Sequence, residues 1–240
     1  MVVFLSPHLD DVALSCGGLV HRLTTSGQRV AIVTICTADR PAEWPLSPTA
    51  HQLHQRWGLG EQPYVQRRAE DVQACRLLGA QHVHLGLLDA IYRLDDRGEP
   101  LYKDDFIGGS VHPHDRQVFL PRVRASLAEW LGLAEQIFCP LAIGGHVDHV
   151  LVREAVESSC DSSKLRYYED YPYAERGVAP PAGFVPEVVP LSDEDIQARL
   201  RAIACYASQW PVLFGTLDDA MARVSAYSRR VGGERYWRRG

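Results

Sequence analysis

The chain has 240 residues, a formal net charge of -5 and 46% hydrophobic residues, enough apolar content to bury a substantial core in one α/β domain. A pI near 6.0 excludes a general nucleic-acid binder, which needs a basic face to displace counterions from phosphates. No apolar run reaches membrane-spanning length, and Met1 leads directly into Val2-Val3-Phe4-Leu5, too short for a signal-peptide core, so a cytoplasmic location without membrane partners is expected. The scattered cysteines Cys16, Cys36, Cys75, Cys139, Cys160 and Cys205 form no Cys-x-x-Cys pair and read as small buried hydrophobes.

In chain order, Val2–Ser6 reads as a strand, Pro7–Asp11 as a polar turn, the stretch to about Thr25 as a helix, and Arg29–Cys36 as a second strand. That βαβ opening, with apolar strands buried on both faces, predicts a parallel sheet with right-handed crossovers. Pro41, Pro45 and Pro48 mark Thr37–Gln62 as a long loop, and loops of that length tend to be functional. A helix over about Val65–Leu78, a strand His82–Leu87, an irregular stretch Asp89–His114 and a helix over about Arg116–Leu131 follow. Gln136–Ala142 is then a strand, His149–Ser159 helical, and Leu165–Tyr168 a strand; Pro180, Pro181, Pro186 and Pro190 form a connector to two helices, about Asp193–Gln209 and Leu217–Tyr227. The alternation predicts one Rossmann-like α/β domain over residues 1–240, mostly parallel, with helices on both faces and any site at the carboxyl ends of the strands.

Two clusters fall at such strand ends. His8, Asp10 and Asp11 follow the first strand, and His146, Asp148 and His149 follow the Gln136–Ala142 strand. If those strands are neighbours, the clusters can offer two imidazoles and a carboxylate to one cation and leave a position open, the pattern of a catalytic metal. Spare carboxylates would accept a proton during attack on a carbonyl. Either cluster alone reads equally as a helix cap or a hydrogen-bonded core histidine; their joint appearance at equivalent junctions carries the metal site.

These residues resemble the PIG-L / LmbE-like N-acetylglucosaminyl deacetylase family, whose motifs are Pro-His-Pro-Asp-Asp-Glu and His-x-Asp-His. The chain has Pro7-His8-Leu9-Asp10-Asp11-Val12 and His146-Val147-Asp148-His149, with Gly17-Gly18 in the first helix. Leu9 and Val12 depart from the first motif. The resemblance implies that His8, Asp11 and His149 bind Zn2+, or another divalent metal such as Fe2+, and that Asp10 is the general base. It implies that His146 stabilises the oxyanion as imidazolium or donates a proton, with Asp148 orienting or charging it. It further implies substrate contacts from Arg68, in the Arg-x-x-Glu region, and from Asp89, and hydrolysis of an N-acyl group on an amino sugar or sugar conjugate. For Arg67, Arg68 and Glu70 the competing expectation is an exposed, salt-bridged helix face, and for Asp89 a turn cap.

Tyr167–Tyr173 offers aromatic surface for a sugar, and Thr37–Gln62 and Ala90–His114 are the expected specificity loops. His112 with His114 and His51 with His54 are expected in loops, His82 and His84 buried and hydrogen-bonded, and the basic tail Arg235–Arg239 solvated. A metal-dependent hydratase of an unsaturated acid on the same fold and a non-catalytic carbohydrate-binding domain are the rival functions. Iron oxygenases with two histidines and a carboxylate use an all-β scaffold, against the alternation here, and no Gly-x-Gly-x-x-Gly follows Val2–Ser6 to bind a dinucleotide. The partner is expected to be a small N-acetylated sugar or glycoconjugate, with homo-oligomerisation left open.

Overall fold

The computed structural model describes all residues except 104–106, 178, 180 and 181. The strand β1 (Val2–Ser6) runs into α1 (Asp11–Thr25) and β2 (Val30–Cys36), the predicted βαβ opening. Next come α2 (Pro48–Trp57), α3 (Pro63–Leu77), β3 (Gln81–Leu87), α4 (Pro113–Leu133), β4 (Gln136–Pro140), α5 (Val147–Glu157) and β5 (Leu165–Tyr168). The chain closes with β6 (Phe184–Val189), α6 (Asp193–Ala204), α7 (Trp210–Phe214), α8 (Leu217–Val231) and β7 (Glu234–Arg239). Among the described residues no helix is long and apolar enough to cross a membrane.

The strands form one seven-stranded sheet in the order β3-β2-β1-β4-β5-β7-β6. β1 to β5 are parallel neighbours, and β7 runs antiparallel between β5 and β6. β1 and β4 do lie side by side, Val2 opposite Gln136 and Phe4 opposite Phe138. The chain leaves β1 toward β2 and returns to its other side with β4, so the crevice at their carboxyl ends is the switch point where open α/β sheets bind ligands. Alternation along β1 feeds two core layers. Val2 and Phe4 pack with Cys16 and Val20 of α1 and Ala202 of α6, whereas Val3 and Leu5 pack with Val123 and Leu127 of α4 and Leu151 of α5. Each such buried side chain contributes about 1.5–3 kcal/mol, which is why both faces carry helices.

Several expectations are corrected. The segment Thr37–Gln62 is not loop throughout: Ser47 caps α2 by accepting from the Ala50 amide at 3.1 Å, Pro48 occupies the first turn and Gly58 ends it at φ 65°. A proline at a helix start loses no hydrogen bond, so Pro48 marked the helix rather than breaking it. That also puts His51 and His54 on a helix, with buried His54 bonded to the Tyr92 hydroxyl at 2.5 Å. Pro186 lies inside β6, paired with Trp237, which a sheet edge tolerates; Pro180 and Pro181 lie outside the described residues. The basic tail is β7 rather than a solvated end, its Tyr236 and Trp237 buried on opposite faces. On β3, His84 is half-buried against Asp71 at 2.8 Å, but His82 is exposed.

Gly17 and Gly18 have a packing reason. A Cβ on Gly17 would stand 2.9 Å from Arg199 Cγ, and one on Gly18 would stand 2.4 Å from Leu191 Cδ1. The space admits a buried ion pair: Arg199 donates to the Leu14 carbonyl through Nε at 3.1 Å, and Glu234 accepts from the Gly18 and Leu19 amides at 2.9 and 3.0 Å. Arg199 and Glu234 themselves stand 3.4 Å apart, both about 1% exposed. The C-terminal elements are thereby tied to the helix that begins at Asp11.

Candidate metal centre at the carboxyl ends of β1 and β4

The turn after β1 is braced by its own side chains. Ser6 Oγ donates to the His8 carbonyl at 2.6 Å and accepts from the Val12 amide at 3.2 Å, while the His8 amide donates to Asp11 Oδ2 at 2.7 Å. Those bonds aim His8 and Asp11 across the crevice. Opposite them, His146 caps α5, its Nδ1 accepting from the Asp148 amide at 3.2 Å. His149 follows one residue after Asp148, inside that first turn. Gly144, before the cap, adopts φ 90° and lies where a Cβ would meet the Tyr173 ring at 2.7 Å, so only glycine permits this approach.

The donors converge. Asp11 Oδ2 is 3.4 Å from His8 Nδ1 and 3.3 Å from His149 Nε2, and ring nitrogens of His8, His146 and His149 come within 4.8 Å of one another. Donors about 2.0–2.2 Å from a shared tetrahedral zinc stand about 3.4 Å from each other, so the spacing fits such an ion. The outer nitrogens are anchored too. His149 Nδ1 donates to Asp170 Oδ1 at 2.6 Å, and Asp170 Oδ2 accepts from the Ile143 amide at 2.8 Å. His8 Nε2 faces Asp148 Oδ2 at 3.0 Å, and Asp148 Oδ1 pairs with Arg93 Nη1 at 2.6 Å. Carboxylates behind metal-binding imidazoles fix ring orientation and tautomer.

The electrostatics agree. Burial opposes charge on His149, but Asp11 and then Asp170 push it up to about 10, and Asp89, Asp11 and Asp148 likewise hold His8 well above its ordinary value. A negative field that favours protons between these rings favours a cation there. Burial also works against ionised Asp11, yet His149 and His8 keep it well below the usual carboxylate range. Asp10 behaves oppositely: burial, reinforced by Asp11, pushes it up to about 7.

Of the residues predicted for the site, His8, Asp10, Asp11, His146, His149 and Asp89 line one cavity of about 170 Å³. Asp89 meets the turn-cap expectation, accepting from the Ile91 amide at 3.1 Å, and its other oxygen accepts from the Tyr64 hydroxyl. Asp148 is completely buried beneath them: its carboxylate serves His8, Arg93 and the Ala90 amide at 3.1 Å, its amide donates to His146 Nδ1, and its charge acts to raise His146. Burial and then His8 lower His146 to about 3, which favours the proton-donating alternative over the imidazolium; with Nδ1 accepting from the Asp148 amide, the ring proton belongs on Nε2.

Arg68 is corrected as a substrate contact. It is half-buried, spends its guanidinium on the Thr37 carbonyl and Asp39, both at 2.7 Å, and does not line the cavity. Its neighbour Arg67 does, 3% exposed, donating to the Tyr64 hydroxyl at 3.2 Å and stacked 4.6 Å from the Trp57 ring centre. Arg67 Nε has no hydrogen-bond partner among the described residues. In Arg67-Arg68-Ala69-Glu70 the Arg-x-x-Glu spacing itself begins at Arg67, and a one-residue slip on a helix turns a side chain by about 100°. Buried Glu70 accepts from Ser208, so the exposed-face expectation fails for it and for Arg67. The support that Asp170 gives His149 was missed, although Asp170 follows the β5 strand in the same crevice; Arg93 carried no sequence signal. The Tyr167 ring turns into the core, while Tyr171 and Tyr173 line the cavity.

Known proteins resemble the chain in sequence and in fold. The family model described as PIG-L, GlcNAc-PI de-N-acetylase, matches residues 3–160. The 2'-N-acetylparomamine deacetylase of Streptomyces fradiae is 32% identical over 98% of this chain and 80% of its own length. That of Niallia circulans is 30% identical over 71% of this chain and 66% of its own. Among solved structures, the zinc-inhibited form of teicoplanin deacetylase Orf2 superposes with a TM-score of 0.84 at 26% identity, covering 98% of this chain and 96% of the other. A 4-carboxy-2-hydroxymuconate hydratase, GalB from Pseudomonas putida KT2440, shares 15% identity at a TM-score of 0.58, with 99% of this chain and 94% of the other covered, a likeness of fold alone. The chain belongs to the PIG-L family of de-N-acetylases.

Proposed function

We propose that the protein is a zinc-dependent N-deacetylase that removes the acetyl group from an amino sugar carried on a larger conjugate. The observation that carries this reading is the convergence of His8 Nδ1, Asp11 Oδ2 and His149 Nε2, 3.3–3.4 Å apart through the shared carboxylate oxygen, beside a carboxyl group tuned to about 7. His8, Asp11 and His149 would hold the metal. Zinc supplies Lewis acidity toward the acyl carbonyl and acidifies water toward neutrality. Asp10 takes the proton of the attacking water and passes it to the departing amine, so one carboxylate acts first as base and then as acid. Neutral His146 donates its Nε2 proton to the carbonyl oxygen as charge develops there. Arg67 and Asp89 bind sugar hydroxyls, one as donor and the other as acceptor, while Trp57 and Tyr173 give the ring apolar surface. The relatives named for acetylated paromamine and for teicoplanin support a conjugate rather than a free monosaccharide.

The test pairs metal analysis of purified protein with amine release from N-acetylated sugars, free and conjugated, for wild type and Asp10→Asn. About one zinc per chain and a variant that keeps the metal but loses about 10²–10⁴-fold in kcat are expected. Metal binding without amine release from any amide would overturn the reading.

A further inference from the structure

A second cavity, of about 260 Å³, lies behind the metal centre between the start of the loop after β3 and the outer face of α4. Its walls are apolar: Trp44, Leu88, Leu94, Val118 and Phe119. Val118 is 38% exposed. His114, Val118 and Arg122 recur every four residues along α4 and all border the cavity, so one helical stripe supplies an apolar centre flanked by an imidazole and a guanidinium. Arg122 has no carboxylate partner among the described residues. The floor is Arg93 with Asp115, which are 6% and 1% exposed. There Arg93 Nε donates to Asp115 at 3.0 Å, and the Tyr102 hydroxyl donates to Asp115 at 2.6 Å. That internal pairing leaves Arg122 as the guanidinium turned outward, over an apolar pit.

We propose that this cavity is a ligand site distinct from the metal centre, and that it takes an amphipathic monocarboxylate with a small aryl or branched-alkyl body. The body replaces water against Trp44, Val118 and Phe119, and the planar carboxylate meets the Arg122 guanidinium in a two-bond fork. A phosphate would meet the same cation but leave the apolar walls uncovered, and an amine would face repulsion. The site is not isolated from the reaction. Arg93 on its floor bonds Asp148, and Asp148 bonds His8, so a bound acid lies two side chains from a proposed metal ligand.

Isothermal titration of the full-length protein with phenylacetate, using inorganic phosphate and phenethylamine as controls, tests the proposal without reference to catalysis. Phenylacetate is expected to bind and the controls are not; Arg122→Glu should weaken phenylacetate by about tenfold or more, and Val118→Trp, which fills the cavity, should abolish it. Neither residue belongs to the proposed catalytic machinery, so zinc content is expected to stay at the wild-type level in both. Absence of phenylacetate binding would overturn the proposal. So would binding that survives both substitutions, which places the acid elsewhere, or phosphate binding as tightly, which reduces the site to a surface cation.

Discussion

Replacing Asp170 by asparagine tests the support beneath the metal centre, because the change keeps shape and removes one charge. Asp170 is 1% exposed and accepts from two donors, His149 Nδ1 at 2.6 Å and the Ile143 amide at 2.8 Å. Asparagine has one oxygen for the two. If that oxygen keeps Ile143, the amide NH₂ faces Nδ1, and the imidazole must move its proton to Nε2. Nε2 is the nitrogen 3.3 Å from Asp11 Oδ2, and a protonated nitrogen has no lone pair for a cation. If the oxygen keeps His149 instead, the Ile143 amide is buried without an acceptor, which costs about 1–3 kcal/mol. Either arrangement weakens the centre. Losing a carboxylate behind a metal-binding histidine lowers affinity about 10–100-fold, or about 1.4–2.8 kcal/mol. Zinc competition against a chromophoric chelator at neutral pH measures this, with circular dichroism to establish that the variant is folded. Zinc affinity within about twofold of wild type in folded Asp170→Asn would refute the proposed role of His149 Nε2.

Acid should inhibit through Asp10. Its carboxyl is pushed up to about 7, first by burial and then by Asp11; the base form exists above that value, so kcat/KM should fall by one proton as pH drops through it. A profile flat between about pH 5 and 8 would contradict the assignment. Arg67→Lys keeps the charge but loses the fork and the unpaired Nε; KM for the conjugate should rise about tenfold with kcat less affected, and an unchanged KM would remove Arg67 from the substrate site. Arg199→Met strands the Glu234 carboxylate at 1% exposure, so urea denaturation should show a loss of about 3–5 kcal/mol. Adding Glu234→Gln should recover part of it, and strictly additive losses would mean the two residues do not act as a pair.

The parallel core was legible because its physics is local. Runs such as Val30–Cys36 are buried at every position and apolar at all but Thr34, which only burial on both faces explains. Helix α2 was hidden by reading Pro48 as a breaker when Ser47 already capped that turn. Strands β6 and β7 were hidden because their pairing is with each other and with β5 across the chain's end, and a basic sequence such as Glu234–Arg239 carries no apolar alternation by which to recognise it.

The site divides along the same line. Sequence alone determined the two strand-end clusters, His8 with Asp10 and Asp11, and His146 with Asp148 and His149, because ligands crowded into a few residues after a strand are a local pattern. Tertiary structure decided what each one faces. The Asp148 carboxylate turns to His8 and Arg93, Asp170 arrives from β5 to hold His149, and Arg67 rather than Arg68 enters the cavity. Those assignments depend on the direction of a side chain and on which distant element fills the space in front of it, and in a packed interior that is a property of the whole fold rather than of any segment.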